Sequence, residues 1–226
     1  MADVSVGSSW SKQVAPQEPF GTPEEIAYER RAQETAVYVG GKVAIAIFAF
    51  AFAALAFSYF YLRSSNSQDM WRPGHMTAPT QAGAAVMAFA AAGGVAFWFG
   101  VSRLRRSMFG DWEVAGWVAV VMALASVAVQ CWELATLPFV PGRSGYSSVF
   151  VAWAGMNIML MLVVAYWSET LVARSLRLRR GDATSDDAEG GGSVPPVFRV
   201  NVGAASSFWI FAVLVSVLFW VFFYQL

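Results

Sequence analysis

Histidine and cysteine are nearly missing from this sequence, with His75 and Cys131 the only examples in 226 residues. One cysteine excludes an intrachain disulfide and any thiolate metal cluster within the chain. One histidine excludes a haem held by two histidines, and a multi-histidine copper site, from this chain alone. Charge is also scarce: 13% of residues are charged, against about a quarter in a soluble domain. Formal net charge is zero, so no electrostatic case for nucleic acid exists. A cleavable leader is also not evident. The first apolar run begins near Val39, behind a polar segment containing Pro16, Pro19 and Pro23, too far in for a standard signal peptide. The first spanning helix is expected to act as its own insertion signal.

What the sequence has in quantity is apolar residues, 57% of the total, gathered in blocks of the length a helix needs to cross a bilayer. A window of about 19 residues places five spans at 39–62, 81–102, 114–137, 146–173 and 203–226. Lipid requires every backbone polar group to be paired internally, so each span is read as a helix. The fold class is therefore all-α, an integral membrane bundle of five transmembrane helices. Pro138 is expected to stop the third span at Leu137.

Arginine sets the expected direction. Arg30, Arg31, Arg103, Arg105, Arg106, Arg174, Arg177, Arg179, Arg180 and Arg199 fall on one side, against Arg63, Arg72 and Arg143 on the other. This predicts a cytoplasmic N-terminus and an outside C-terminus. Residues 1–38 form an N-terminal cytoplasmic segment, with a short helix over 22–37 opened by Thr22 as N-cap, Pro23 at N1, and Glu24 and Glu25 in the first turn. The loop 181–198, acidic and Gly-rich, is expected to be a flexible cytoplasmic linker.

Ala84, Ala88, Ala92, Ala96 and Gly100 recur every fourth residue in the second span, and small residues at that spacing suit close helix packing. The fifth span is crowded with aromatic residues, including Phe208, Trp209, Phe219, Phe223 and Tyr224. It is expected to face lipid or another subunit, with an aromatic belt at its outer end.

Few polar residues enter the spans. Lys42 can snorkel to headgroups, Asn157 can bond another helix, and Glu169 lies close to an interface. The sharper case is Gln130 with Glu133, at i and i+3 on one helix face. A buried carboxylate costs several kcal/mol unless it is paired, hydrogen-bonded or protonated. The following turn, "VPGRSG", holds Arg143 on the same side and Ser144 as a cap for the next helix. A structural clamp joining spans three and four is the reading, with a proton-handling site as the sharper alternative. A relay needs several titratable groups in series, and these spans provide none. His75 beside Met76 is read as a loop histidine, and no metal ligand set is assigned.

With these residues in view, the chain resembles subunit III of the haem–copper oxidases, in a divergent five-helix form. The family's Q-x-x-E is matched by Gln130 and Glu133. Its aromatic–x–S–x–F helix opening is matched by Tyr146, Ser148 and Phe150, with Gly155 further in. The run Phe208, Trp209, Ile210, Phe211 and the closing Tyr224 resemble the last helix. "FSYFYLR" with Trp71 and Pro73 resembles the end of the first. Two histidines that the family carries near Gly155–Leu160 are absent, and Phe48 and Val213 stand near positions where it has acidic residues.

The resemblance implies an accessory, non-catalytic chain of a respiratory terminal oxidase (cytochrome c or quinol oxidase) in a bacterial inner membrane. It implies subunits I and II as partners, with haem and copper in them and none in this chain. It also implies bound phospholipid between helices, in a complex that reduces O2 to water and translocates protons. An accessory subunit of a nitric oxide reductase, a copper monooxygenase component and a transporter stay open as alternatives. The electron donor binds on other subunits.

Overall fold

A computed structural model describes residues 22–66, 70–73, 77–180 and 194–226. Five helices are found: α1 (Pro23–Ser64), α2 (Thr80–Leu104), α3 (Phe109–Ala135), α4 (Gly145–Arg180) and α5 (Pro196–Trp220). The chain closes in a π-helical turn, Val221–Gln225. All five helices are long and apolar enough to cross a membrane, and no strand occurs among the described residues. The end of the bundle holding Pro23 and the α2–α3 turn is called the near end below. The end holding Leu226 and the α3–α4 turn is the far end.

Thr22 caps α1 as its sequence dictates. The Glu25 N–H donates to Thr22 Oγ1 at 3.3 Å, and the Thr22 N–H donates to Glu25 Oε2 at 2.7 Å, which is the reciprocal capping box. No separate short helix then follows, because the segment before Val39 and the first span are one helix of 42 residues. At 1.5 Å per residue it is about 63 Å long, roughly twice the hydrocarbon thickness. Gly40 and Gly41 do not break it. Gly41 is where α1 crosses α5, and a Cβ there would stand 2.9 Å from the Ala204 Cβ.

α3 packs between α2 and α4, while α5 packs against α1, α2 and α4. α1 lies at the margin, with 11% of its most apolar window buried compared with 50% for α4. α5 is thus packed by three helices, and its outward face toward lipid or another subunit is carried by Ile210 and Leu214 rather than by most of the aromatic residues expected there. Phe208, Trp209, Phe219 and Phe223 are all buried. The aromatic excess fills the core here because α5 has three neighbours to pack against.

The small-residue row of α2 also differs from expectation. Ala88 and Ala92 are exposed, Ala84 and Ala96 half-buried, and only Gly100 is buried. A strict i+4 row gains about 40° per step on a 3.6-residue helix, so it winds from the outer side onto the packed face only at its end. The packed face is instead Gly83, Val86, Ala90, Gly93, Phe97, Gly100 and Leu104. At Gly93 a Cβ would lie 2.7 Å from the Trp209 ring.

Helix ends move by a few residues. α3 stops at Ala135, with Thr136 as its C-cap, and α4 continues to Arg180. α5 starts at Pro196, and Val194 and Phe198 are buried in the core, so 194–198 is not part of a flexible linker. The rest of that expected linker, 181–193, lies outside the described residues, as do His75 and Met76.

Candidate functional site

Gln130 and Glu133 sit one turn apart near the end of α3, and both are fully buried. A helix places i and i+3 on the same face, and that face looks into the junction of α3, α4 and α5. Asn157 of α4 donates through Nδ2 to Gln130 Oε1 at 2.9 Å. Ser216 of α5 donates to Asn157 Oδ1 at 3.2 Å. The Tyr224 hydroxyl donates to Glu133 Oε1. Four helical segments are thereby joined by side chains that would each be costly alone in hydrocarbon. Gln130 Nε2 and Glu133 Oε2 have no partner among the described residues.

The position of Tyr224 depends on its backbone. The wide π-turn, Val221–Gln225, carries it, and such turns shift side-chain direction relative to a regular helix. Its ring lies over α2 at Gly83, where an added Cβ would fall 2.3 Å from ring atoms. Only glycine admits the ring at that spot.

The turn also has free carbonyls, as every helix end does, and they are answered by side chains from other elements. Tyr59 of α1 donates to the Phe222 carbonyl at 2.6 Å, and Arg63 donates to the Tyr59 hydroxyl at 3.1 Å. Tyr146 donates to the Phe223 carbonyl at 3.1 Å and accepts from the Ala78 N–H at 3.3 Å. Arg72 lies with its guanidinium carbon 4.3 Å from the Tyr146 ring centre, and its Nη2 is 3.5 Å from the same Phe223 carbonyl. A cation at a helix C-terminus is favourable because the macrodipole is negative there. The Tyr146 N–H donates to the Trp71 carbonyl at 3.3 Å, which holds the α1–α2 connection against the start of α4.

Several of the residues singled out in the sequence therefore meet at the far end: Gln130, Glu133, Tyr146 and Asn157. Arg143 does not join them. Its side chain is exposed and has no partner among the described residues; the carboxylate it was expected to answer is taken by Tyr224. The clamp consequently ties α3 to α4 and α5 through their interiors rather than through the 136–144 turn. Ser144 does cap α4, accepting from the Ser147 N–H at 3.1 Å, while Ser148 is exposed and donates back to the Ser144 carbonyl at 2.9 Å. Trp209 is remote from this cluster and donates from Nε1 to Ser168 Oγ at 3.0 Å, tying α5 to α4. Lys42 and Glu169 are exposed, as snorkelling and interfacial positions require.

Two participants went unrecognised in the sequence. Tyr224 belongs by sequence to the aromatic belt of the fifth span, and its spacing from Glu133 gives no clue to contact. Glu113 precedes the third expected span, 114–137, yet it is buried on the first turns of α3 and pairs with Arg179 at 3.0 Å. Chemically, the far-end cluster offers one carboxylate, one phenol and an amide–amide–hydroxyl chain. No group of three or more metal-ligating side chains occurs among the described residues.

This architecture, five apolar helices closed by buried polar ties, defines a multi-pass helical membrane protein. No protein-family model matches the chain, and no curated protein matches it.

Proposed function

We propose that this chain is an accessory, non-catalytic subunit of a respiratory terminal oxidase, of the subunit III kind, in a bacterial inner membrane. Its N-terminus is cytoplasmic and its C-terminus is outside, as the arginine distribution directs. It stands beside the haem- and copper-bearing subunits I and II, stabilising them while they reduce O2 to water and translocate protons.

One observation carries this reading. Several of the stretches that resemble the family are far apart in sequence, yet, the Phe208–Phe211 run aside, they meet at the far end: Tyr224 bonds Glu133, Tyr146 bonds the neighbouring Phe223 carbonyl, and the Tyr146 N–H bonds the Trp71 carbonyl. A resemblance arising by chance from apolar composition would have no reason to collect there. The broad exposed face of α1, with Ile47, Phe50 and Phe57 outward, adds a surface available to a larger subunit.

Native purification tests the proposal. The chain is expected to copurify with a larger haem subunit, seen in absorption spectra and by mass spectrometry of the partners. Isolation as a stable chain that functions alone would overturn it. A nitric oxide reductase catalytic subunit in its place would redirect the same fold to that complex.

A further inference from the structure

Two hydrogen-bonded chains end on α3 one turn apart. The first starts at Ser216 of α5, which donates to Asn157 Oδ1, and Asn157 donates in turn to Gln130 Oε1. The second is the Tyr224 hydroxyl donating to Glu133 Oε1. Each chain leaves one buried atom without a partner among the described residues: Gln130 Nε2, which can only donate, and Glu133 Oε2, an acceptor in the carboxylate. Both residues are 0% exposed, so bulk water answers neither atom. A buried polar group left in this state is costly, and more so where the surroundings are hydrocarbon.

The two atoms are complementary, yet they do not bond each other. Gln130 and Glu133 share one face of α3, with Cβ atoms about 5–6 Å apart. Asn157 draws the Gln130 amide toward α4, and Tyr224 draws the Glu133 carboxyl toward the closing turn. The free atoms are left between those anchors. The cavities of about 280 and 260 Å3 on the near half of the α2–α5 seam, lined by residues such as Leu104 and Val202 or Gly94 and Val213, reach neither residue. What joins Gln130 to Glu133 is therefore small, and its chemistry is defined from both sides. It must accept from an N–H and donate to a carboxylate oxygen. A metal cation or an ammonium has nothing to accept with, and an anion would face the carboxylate. A water molecule does both, and two of its hydrogen bonds bridge atoms roughly 4.5–5 Å apart.

We infer that Gln130 and Glu133 bind a single water molecule, which accepts from Gln130 Nε2 and donates to Glu133 Oε2. Ordered waters in protein interiors occupy such places, where otherwise unsatisfied polar groups converge. The bridge turns the two chains into a ring: Ser216, Asn157, Gln130, water, Glu133 and Tyr224, closed by the stretch of α5 and π-turn that carries both ends. Every donor in that ring is directed toward Glu133, from Ser216 on one side and from Tyr224 on the other. The inference rests on the packing of α3, α4 and α5 and is independent of the oxidase assignment.

The test is an experimental structure of the full chain, with any subunits that copurify, at a resolution that shows ordered water. The expected result is one isolated density peak about 2.7–3.2 Å from both Gln130 Nε2 and Glu133 Oε2. Gln130→Leu keeps the bulk of the side chain but removes the donor, and the peak is expected to be lost. Tyr224→Phe acts on the other carboxylate oxygen, and the peak is expected to remain. Gln130→Leu also takes the acceptor from Asn157, so if that variant fails to assemble, the wild-type and Tyr224→Phe maps decide. A wild-type map with no peak, a direct bond between Gln130 and Glu133, another side chain filling the position, loss of the peak in Tyr224→Phe, or a peak that survives Gln130→Leu would each overturn the inference.

Discussion

A buried carboxylate with one oxygen held by a phenol and the other without a partner among the described residues responds to a change of shape differently from a change of charge. Tyr224→Phe keeps the ring over Gly83 but removes the donor, and is expected to destabilise the bundle by about 1–3 kcal/mol. Glu133→Gln keeps an acceptor for the Tyr224 hydroxyl, so assembly and thermal stability should hold within about 1 kcal/mol. Loss of proton pumping in an intact Glu133→Gln complex would show that the carboxylate does more than clamp. Gly83 supplies a steric counterpart. Gly83→Ala drives a methyl into the Tyr224 ring and should cost about 1–3 kcal/mol, whereas Gly40→Ala, whose Cβ meets nothing within 4 Å, should be neutral or slightly stabilising. Thermal unfolding in one detergent compares all four. Gln130 and Glu133 were legible as an unusual pair because charge and amide are rare in a span. Their partners were not, since Asn157, Ser216 and Tyr224 are brought in by tertiary packing from another helix in each case.

Among elements, α1 and α5 show where hydropathy reading stops. The window found both spans because it averages composition, and averaging cannot see that the polar stretch before Val39 is helically continuous with the span after it. Nothing over 24–39 forbids helix, and the Thr22 cap starts it early. Spin labels at Tyr28→Cys and Phe57→Cys in a Cys131→Ser background should therefore give one narrow distance near 43 Å, from 29 residues at about 1.5 Å each. A broad distribution centred well below that value would mean a hinge near Gly40. For α5 the aromatic count was legible but its direction was not. An aromatic helix suits lipid, protein or both, and only the three neighbours of α5 decide in favour of the interior.

At the scale of the whole molecule, lipid tails are as apolar as leucine, so burial of apolar surface gives the folded bundle little advantage. Cohesion must come from close packing and polar ties, and the structure distributes these unequally. The far end is knit by tyrosine–carbonyl bonds and stacked rings, such as Tyr59 on Phe222 with centroids 5.3 Å apart. The near half of the α2–α5 seam stays open. Class and span number were readable from the sequence because membrane thickness imposes them on any chain. This asymmetry was not readable, because it arises from which helix faces meet.

The Glu133–Tyr224 tie also has a consequence for biogenesis. The two residues are separated by 91 positions, and a ribosome adds about 5–20 residues per second. α3 thus enters the bilayer on the order of ten seconds before the phenol that answers its carboxylate has been made. During that interval the nascent chain carries a carboxylate without its phenol partner, and only the arrival of α5 and the turn that follows it supplies one.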